Sequence, residues 1–444
     1  MNDGGTSTTP DPDPRLYRRW QIKILVATWL AYAGYYFCRK AFYVVKKDLG
    51  QALDLTSVDL AQIGTAYLVG YAIGQFSSAY FGRRLGPKRL LLFGMAISIA
   101  CNVAFGVSNG MATIALFMTL NGMAQGTGWP GCIGSLGFWF QREQRGSIMG
   151  VWATCYQVGS VLATSFAAFL LGAAGWRSFF GASAVLLVVW AIVLWLHPNT
   201  PEDVGLRSVS DEDDSRSVDA LFDDEVTDPG KVPRGLHSSS ELGWSRDTVI
   251  AVLLMGSIYF CIKFLRYALW SWAPYFLSKN FGLAGDQAGY LSTVFDLCGF
   301  VGVLLAGVIS DRLFKGRRAA LAVIMLALMT ASFGLMYGLG AHSVIVFSVS
   351  MGLAGFMLYG PDSLLSGVGA IDIGSVRGAL VAAGIINGMG SIGPVFQEQI
   401  IGWLYKTGGQ DLVPIFLMLV VVATVGTLLT VVLYLRARAG KASV

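Results

Sequence analysis

"FGRRLGPKR" at residues 81–89 and "SDRLFKGRR" at residues 310–318 each join two runs of apolar residues. Placing Arg83 over Arg312 also places Lys88 over Arg317 and Arg89 over Arg318, at a single offset of 229. Self-similarity at one fixed spacing marks a repeated architecture. A short basic turn between apolar runs is what the cytoplasmic loops of membrane proteins carry. The two turns therefore predict a chain of two similar halves, each crossing a bilayer several times.

Composition agrees. Of 444 residues, 54% are hydrophobic and 13% are charged, against about 25% charged in a soluble domain. Apolar runs fall near 21–45, 60–81, 89–110, 112–138, 147–173, 176–196, 247–277, 286–309, 318–338, 343–368, 378–404 and 411–435. Each approaches the roughly 20 residues needed to cross a ~30 Å hydrocarbon core. The expectation is an all-α membrane protein with twelve transmembrane helices in two pseudo-symmetric six-helix bundles. The first twenty residues are polar and Pro-rich, and the run after them is too long for a signal h-region, so it is expected to remain as a span.

Lys and Arg gather in alternate connections. Arg15, Arg18, Arg19 and Lys23 precede the first run, Arg142 and Arg145 follow the fourth, and Arg436, Arg438 and Lys441 follow the last. The opposite connections hold only Lys46, Lys47, Arg177, Lys279 and Lys406. The positive-inside rule then puts both termini in the cytoplasm, which requires an even number of spans. It also accounts for the net charge of +5 without a nucleic-acid partner. The domains expected are a cytoplasmic tail 1–20, a first bundle 21–197, an acidic cytoplasmic linker 198–246, a second bundle 247–436 and a tail 437–444. The linker, with "SDEDDSRSVDALFDDEVTDPG", is too acidic and too poor in aromatics to bury a core.

Inside the first run stands "GYYFCRKAF" (34–42), and inside the seventh "IKFLRYALW" (262–270). Arg39 and Arg266 are 227 apart, nearly the repeat offset, and so hold equivalent places in the two halves. An arginine at the centre of a span costs about 2.5–3.5 kcal/mol on insertion scales, so each needs an anionic partner. Intramembrane carboxylates at Asp296, Asp362 and Glu398 are one source. The other is a substrate: a guanidinium fork bonds phosphate oxygens bidentately and keeps its charge, and two forks suit a compact anion with three oxygens.

Parallel six-helix repeats are the architecture of the major facilitator transporters, whose substrate sites lie near the midplane between the repeats, and the basic turn is a mark that this chain shares with them. Within that superfamily, "YYFCRKAFY", "GMAQGTGWPGC" (122–132), "WFQREQRG" (139–146), "LRYALWSWAPYFL" (265–277) and "YGPDSL" (359–364) together resemble the organophosphate:phosphate antiporter family. The resemblance runs from about Arg15 to Arg438 and excludes the acidic segment. It implies an exchanger of an organic phosphate ester for inorganic phosphate, in which Arg39 and Arg266 match the paired phosphate-binding arginines. Tyr36 and Tyr267 match aromatic positions beside them. Several bacterial relatives carry a histidine where "CYQVGS" (155–160) has Tyr156. A tyrosine hydroxyl can donate to phosphate, but at a pKa near 10 it does not titrate around neutrality.

Other polar residues in the runs carry two readings each. Lys40 points about 100° around the helix from Arg39 and either pairs with a carboxylate or funnels anions. Lys263 shares a face with Arg266 and either widens the positive site or snorkels to the interface. Glu398 is a counter-ion for a basic site residue, a contact to substrate hydroxyls, or an outer-interface residue. Asp362, beside Pro361, meets a sugar or holds an arginine in the empty carrier. Gln157, Asp362, Asn387 and Glu398 together lean the substrate toward a sugar phosphate.

Competing functions are a hexose-phosphate sensor of the same fold, a carrier of glycerol 3-phosphate or phosphoglycerate, and a proton-coupled drug or sugar porter, which needs no paired arginines. No nucleophile–base pair, metal spacing or phosphate loop supports an enzyme, and no cofactor is called for. The six cysteines match neither a disulfide framework nor a metal site. The expected setting is a bacterial inner membrane, with the protein a monomer and the phosphate compounds and the bilayer its partners.

Overall fold

The computed structural model describes residues 14–140, 148–206, 245–312, 318–363 and 376–439. Most of the acidic segment, with His237, and the connection carrying Arg142 and Arg145 lie outside them. Among the described residues the regular structure is all helical, with no strand. The long helices are α1 (Pro14–Ala52), α2 (Ser57–Val107), α3 (Met111–Gln125), α4 (Gly128–Trp139), α5 (Thr154–Ala174) and α6 (Ala182–Leu196) in the first half. In the second half they are α7 (Arg246–Lys279), α8 (Gly285–Arg312), α9 (Arg318–Leu335), α10 (Val344–Ser363), α11 (Val376–Thr407) and α12 (Val413–Arg438).

Two boundaries differ from expectation. The first run was expected to end at residue 45, yet α1 continues to Ala52, because no glycine or proline interrupts Tyr35–Leu49. Lys46 therefore lies in the helix and is fully buried. The second and third runs form one helical stretch, α2, broken only at the basic turn, where Gly86 (φ 73, ψ 165) precedes Pro87. Gly86 is required there twice over: its φ lies in the left-handed region, and a Cβ would fall 2.1 Å from the Asn199 amide. At its start α2 is closed by a capping box in which Thr56 and Asp59 bond each other's backbone N–H.

Seven stretches among the described residues are long and apolar enough to cross a membrane, including Arg84–Val107, Arg246–Lys279 and Val413–Arg438. Three of the five remaining expected runs fall short for visible reasons. The first carries Lys23, Arg39, Lys40, Lys46 and Lys47, the fourth is divided between α3 and α4 at Gly126 and Thr127, and α6 has only 15 residues.

Within each half, small residues let helices touch backbone to backbone. A Cβ on Gly122 of α3 would sit 2.2 Å from the Tyr67 carbonyl oxygen of α2, and one on Gly302 of α8 would sit 2.1 Å from the Phe356 oxygen of α10. Overpacking of this kind costs about 1–3 kcal/mol. Gly122→Leu is expected to lower the thermal unfolding midpoint in detergent. Gly334→Ala, whose Cβ meets open space, should leave it unchanged or slightly raised.

The halves meet along α1 with α7, α2 with α11, and α5 with α8. Their hydrogen bonds cluster toward one end of the molecule. Ser57 Oγ donates to the Gly402 carbonyl at 2.9 Å, Gln399 Nε2 to Thr65 Oγ1 at 2.7 Å, and Lys47 Nζ to Ser278 Oγ at 2.9 Å. These residues lie near the starts of α2 and the ends of α1, α7 and α11, the end remote from Pro14 and Arg438. The two halves are closed on each other there.

Candidate functional site

Arg39 lies on α1, buried with 6% exposure. Its Nε donates to Gln125 Oε1 at 3.1 Å, and the same oxygen accepts from the Tyr67 hydroxyl at 2.8 Å. The guanidinium lies 4.9 Å from the Tyr36 ring centroid and 5.0 Å from that of Tyr71. Gln125 is itself fixed from behind, its Nε2 donating to Asn121 Oδ1 at 3.1 Å, while Asn121 Nδ2 donates to the Cys38 carbonyl at 3.1 Å. Every one of these partners is neutral. Among the described residues, no carboxylate pairs with Arg39 and its terminal nitrogens donate to no protein acceptor.

Arg266, the counterpart on α7, is less enclosed. Its Nη1 bonds Asp362 Oδ2 at 2.9 Å, with the guanidinium 4.6 Å from the Tyr359 ring centroid. Of the two expected roles of Asp362, the geometry displays the contact to an arginine. Tyr36 and Tyr267 each lie within electrostatic range of both Arg39 and Arg266.

Lys40 turns away from this space into the contact between the halves. Its Nζ is 3.6 Å from Asp296 Oδ2, donates to the Trp270 carbonyl at 3.2 Å and lies 3.8 Å from the Trp270 ring centroid. Asp296 is fully satisfied, accepting from Ser160 Oγ and from the Tyr359 hydroxyl, each at 2.6 Å. Tyr359 thus touches both Arg266 and the carboxylate that Lys40 faces.

Glu398 sits farther toward the closed end, 1% exposed. Lys46 Nζ meets its Oε1 at 2.7 Å, while Ser271 Oγ and Trp272 Nε1 donate to its Oε2 at 2.9 and 2.6 Å. Lys46 also lies 3.4 Å from the Trp272 ring centroid. Glu398 is therefore the counter-ion of Lys46 across the halves.

Tyr156 packs in an aromatic cluster, 5.1 Å from Tyr32, 6.0 Å from Trp129 and 5.7 Å from Trp152 between ring centroids. Lys263 donates to Asn387 Oδ1 at 2.9 Å and to Ser391 Oγ at 3.3 Å. His197 ends α6 with its Nε2 2.8 Å from Ser135 Oγ, and burial pushes its pKa down to about 4. It is a neutral structural group at physiological pH.

The structure thus brings Arg39, Arg266, Tyr36, Tyr267 and Asp362 to one region between the halves and assigns Lys40 and Glu398 to buried pairs. Sequence reading passed over Gln125, Tyr67, Tyr71 and Lys46. A signal existed for Gln125: Asn121 and Gln125 are two amides one turn apart in an otherwise apolar run, and buried amides need partners.

An all-helical membrane protein whose halves close on each other at one end, with cations held inside, has the form of a multi-pass transporter. A model of the Major Facilitator Superfamily matches residues 28–367 and 255–444, and the chain belongs to that superfamily. It is 26% identical over 416 residues to a probable hexose phosphate transport protein of Chlamydia pneumoniae, covering 93% of this chain and 91% of that one. It is 29% identical over 390 residues to sugar phosphate exchanger 3 of Gallus gallus, covering 82% and 77%. Among solved structures, a bacterial homologue of the human lysosomal transporter Spinster, inward-facing and unoccupied, superposes with a TM-score of 0.68 at 15% identity over 95% of this chain and 98% of that one. That likeness is one of fold.

Proposed function

We propose that the chain is an antiporter that exchanges an organic phosphate ester, a sugar phosphate by preference, for inorganic phosphate by alternating access. The observation that carries this reading is the state of Arg39: a buried guanidinium fixed through Nε by a neutral amide, whose terminal nitrogens donate to no acceptor among the described residues. A buried cation is costly unless paired, and the fork that remains is the geometry that binds phosphate oxygens bidentately. Arg266 supplies the second arm. In the empty carrier Asp362 holds it, and an arriving phosphate takes over part of that contact. The names of the hexose- and sugar-phosphate relatives favour the sugar ester.

In this reading twelve spans form two six-helix bundles in a bacterial inner membrane, with both termini and the acidic segment cytoplasmic. The closed end described above is then the outer one, and the site opens inward. Phosphate bridging Arg39 and Arg266 draws the halves together and lowers the barrier to interconversion. Without an anion, two like charges in a low-dielectric site repel, so the empty carrier crosses slowly and exchange is obligatory.

The test is counterflow of labelled inorganic phosphate into liposomes bearing the purified chain, with glucose 6-phosphate, glycerol 3-phosphate and phosphoglycerate as competitors. Saturable exchange inhibited most strongly by glucose 6-phosphate is expected. Absence of any phosphate exchange would sink the antiporter reading.

A further inference from the structure

We infer that Lys263, Asn387 and Ser391 form the subsite that reads the hydroxyl groups of the ester's organic part. The inference rests on the antiporter reading and assigns a second place within the same site.

Helical periodicity places the cluster between the halves. Trp270 touches the first half through Lys40 and Ser160, and Arg266 and Lys263 lie about one and two turns behind it on the same face of α7. On α11, Glu398 reaches Lys46 of the first half. Ser391 and Asn387 precede it by seven and eleven residues, which is about two and three turns, so they share its face. Both helices therefore turn this cluster toward the space below the closed end, next to Arg266.

The hydrogen-bond inventory decides the ligand. Lys263 donates to two neutral oxygens, Asn387 Oδ1 and Ser391 Oγ, and Ser391 Oγ spends its own hydrogen on the Asn387 carbonyl at 2.9 Å. The ammonium has three hydrogens, which leaves one for a ligand, beside the two hydrogens of the Asn387 amide. A hydroxyl entering here accepts from Lys263 or the amide and donates to one of the two oxygens, so both of its functions are met. A carboxylate only accepts and would face the lone pairs of both oxygens. Lys263 also lies three residues from Arg266, a rise of about 4.5 Å along α7. A phosphate on the Arg266 fork would hold its attached carbon chain alongside Lys263.

The experiment measures, in proteoliposomes of the full chain, the half-saturation constants for glucose 6-phosphate, 3-phosphoglycerate and inorganic phosphate, and takes the ratio of each ester to phosphate. In Lys263→Met and in Asn387→Ala the glucose 6-phosphate ratio should rise about tenfold, while a loss of folded protein lowers only the maximal rate and a general loss of phosphate binding moves all the constants and cancels. An unchanged ratio in both variants overturns the inference, and so does a rise confined to 3-phosphoglycerate, which would make the cluster a carboxylate site. Wild-type liposomes that exchange no phosphate remove the antiporter reading and this inference together. Wild-type exchange with unaltered ratios removes this inference alone.

Discussion

Arg39→Lys is expected to reduce phosphate counterflow by one to two orders of magnitude while the protein still folds and inserts. Lysine keeps the positive charge, so steering of an anion into the site survives. It lacks the planar fork, and it lacks the Nε–H that Gln125 holds at 3.1 Å. A hydrogen bond to a charged group contributes about 1.5–3 kcal/mol, which corresponds to about tenfold to a hundredfold in binding. A second variant reaches the same cation by another route. Gln125→Glu places a carboxylate where Arg39 now meets an amide, so the guanidinium would be neutralised internally and the substrate would lose its electrostatic reward. Counterflow near the wild-type rate in both variants would show that Arg39 binds no phosphate.

Glu398→Ala should have a comparably large effect of a different kind. The Lys46–Glu398 pair joins the two halves, with the side chains 0% and 1% exposed. Removing one partner of such a pair costs about 3–5 kcal/mol, because the other charge is left buried and unpaired. The cost falls on the conformation in which the halves touch at this end, since separation would let water reach Lys46. The population should therefore shift toward the conformation open at this end, by a factor of roughly a hundred or more. Gly64 sharpens the expectation, because its missing Cβ makes room for the Glu398 carboxylate, and it has no side chain of its own to replace the lost contact. A cysteine in place of Ser57, which bonds the Gly402 carbonyl across the halves, reports the shift through its labelling rate with a membrane-impermeant maleimide. The double variant Lys46→Met with Glu398→Leu removes both charges and should restore slow labelling. Labelling in Glu398→Ala within twofold of the parent would mean that the pair does not hold this end closed.

Much of the architecture was legible before any coordinates. The basic turns at 81–89 and 310–318, the apolar runs between them and the matched positions of Arg39 and Arg266 are all one-dimensional facts, because bilayer crossing is set by length, hydropathy and flanking charge. The backbone of each span satisfies itself, so each run declares its helix without knowledge of its neighbours. Where expectation and structure parted, the cause lay in neighbours. Lys46 reads as a loop residue because it is charged and follows an apolar run, and it becomes a core residue only because Glu398, 352 positions away, meets it.

Two arginines inside apolar runs, 227 positions apart in a chain with two matching basic turns, were therefore visible in the sequence alone, as was the need for something anionic to meet them. Which anion meets which cation was decided in three dimensions. Asp296 faces Lys40, Glu398 faces Lys46 and Asp362 holds Arg266, which uses the intramembrane carboxylates that sequence reading had offered to the arginines and leaves Arg39 with neutral partners. The physical reason is that pairing of buried charges depends on distances of a few ångströms between separate helices, and helical periodicity places a side chain on a face without saying what stands opposite.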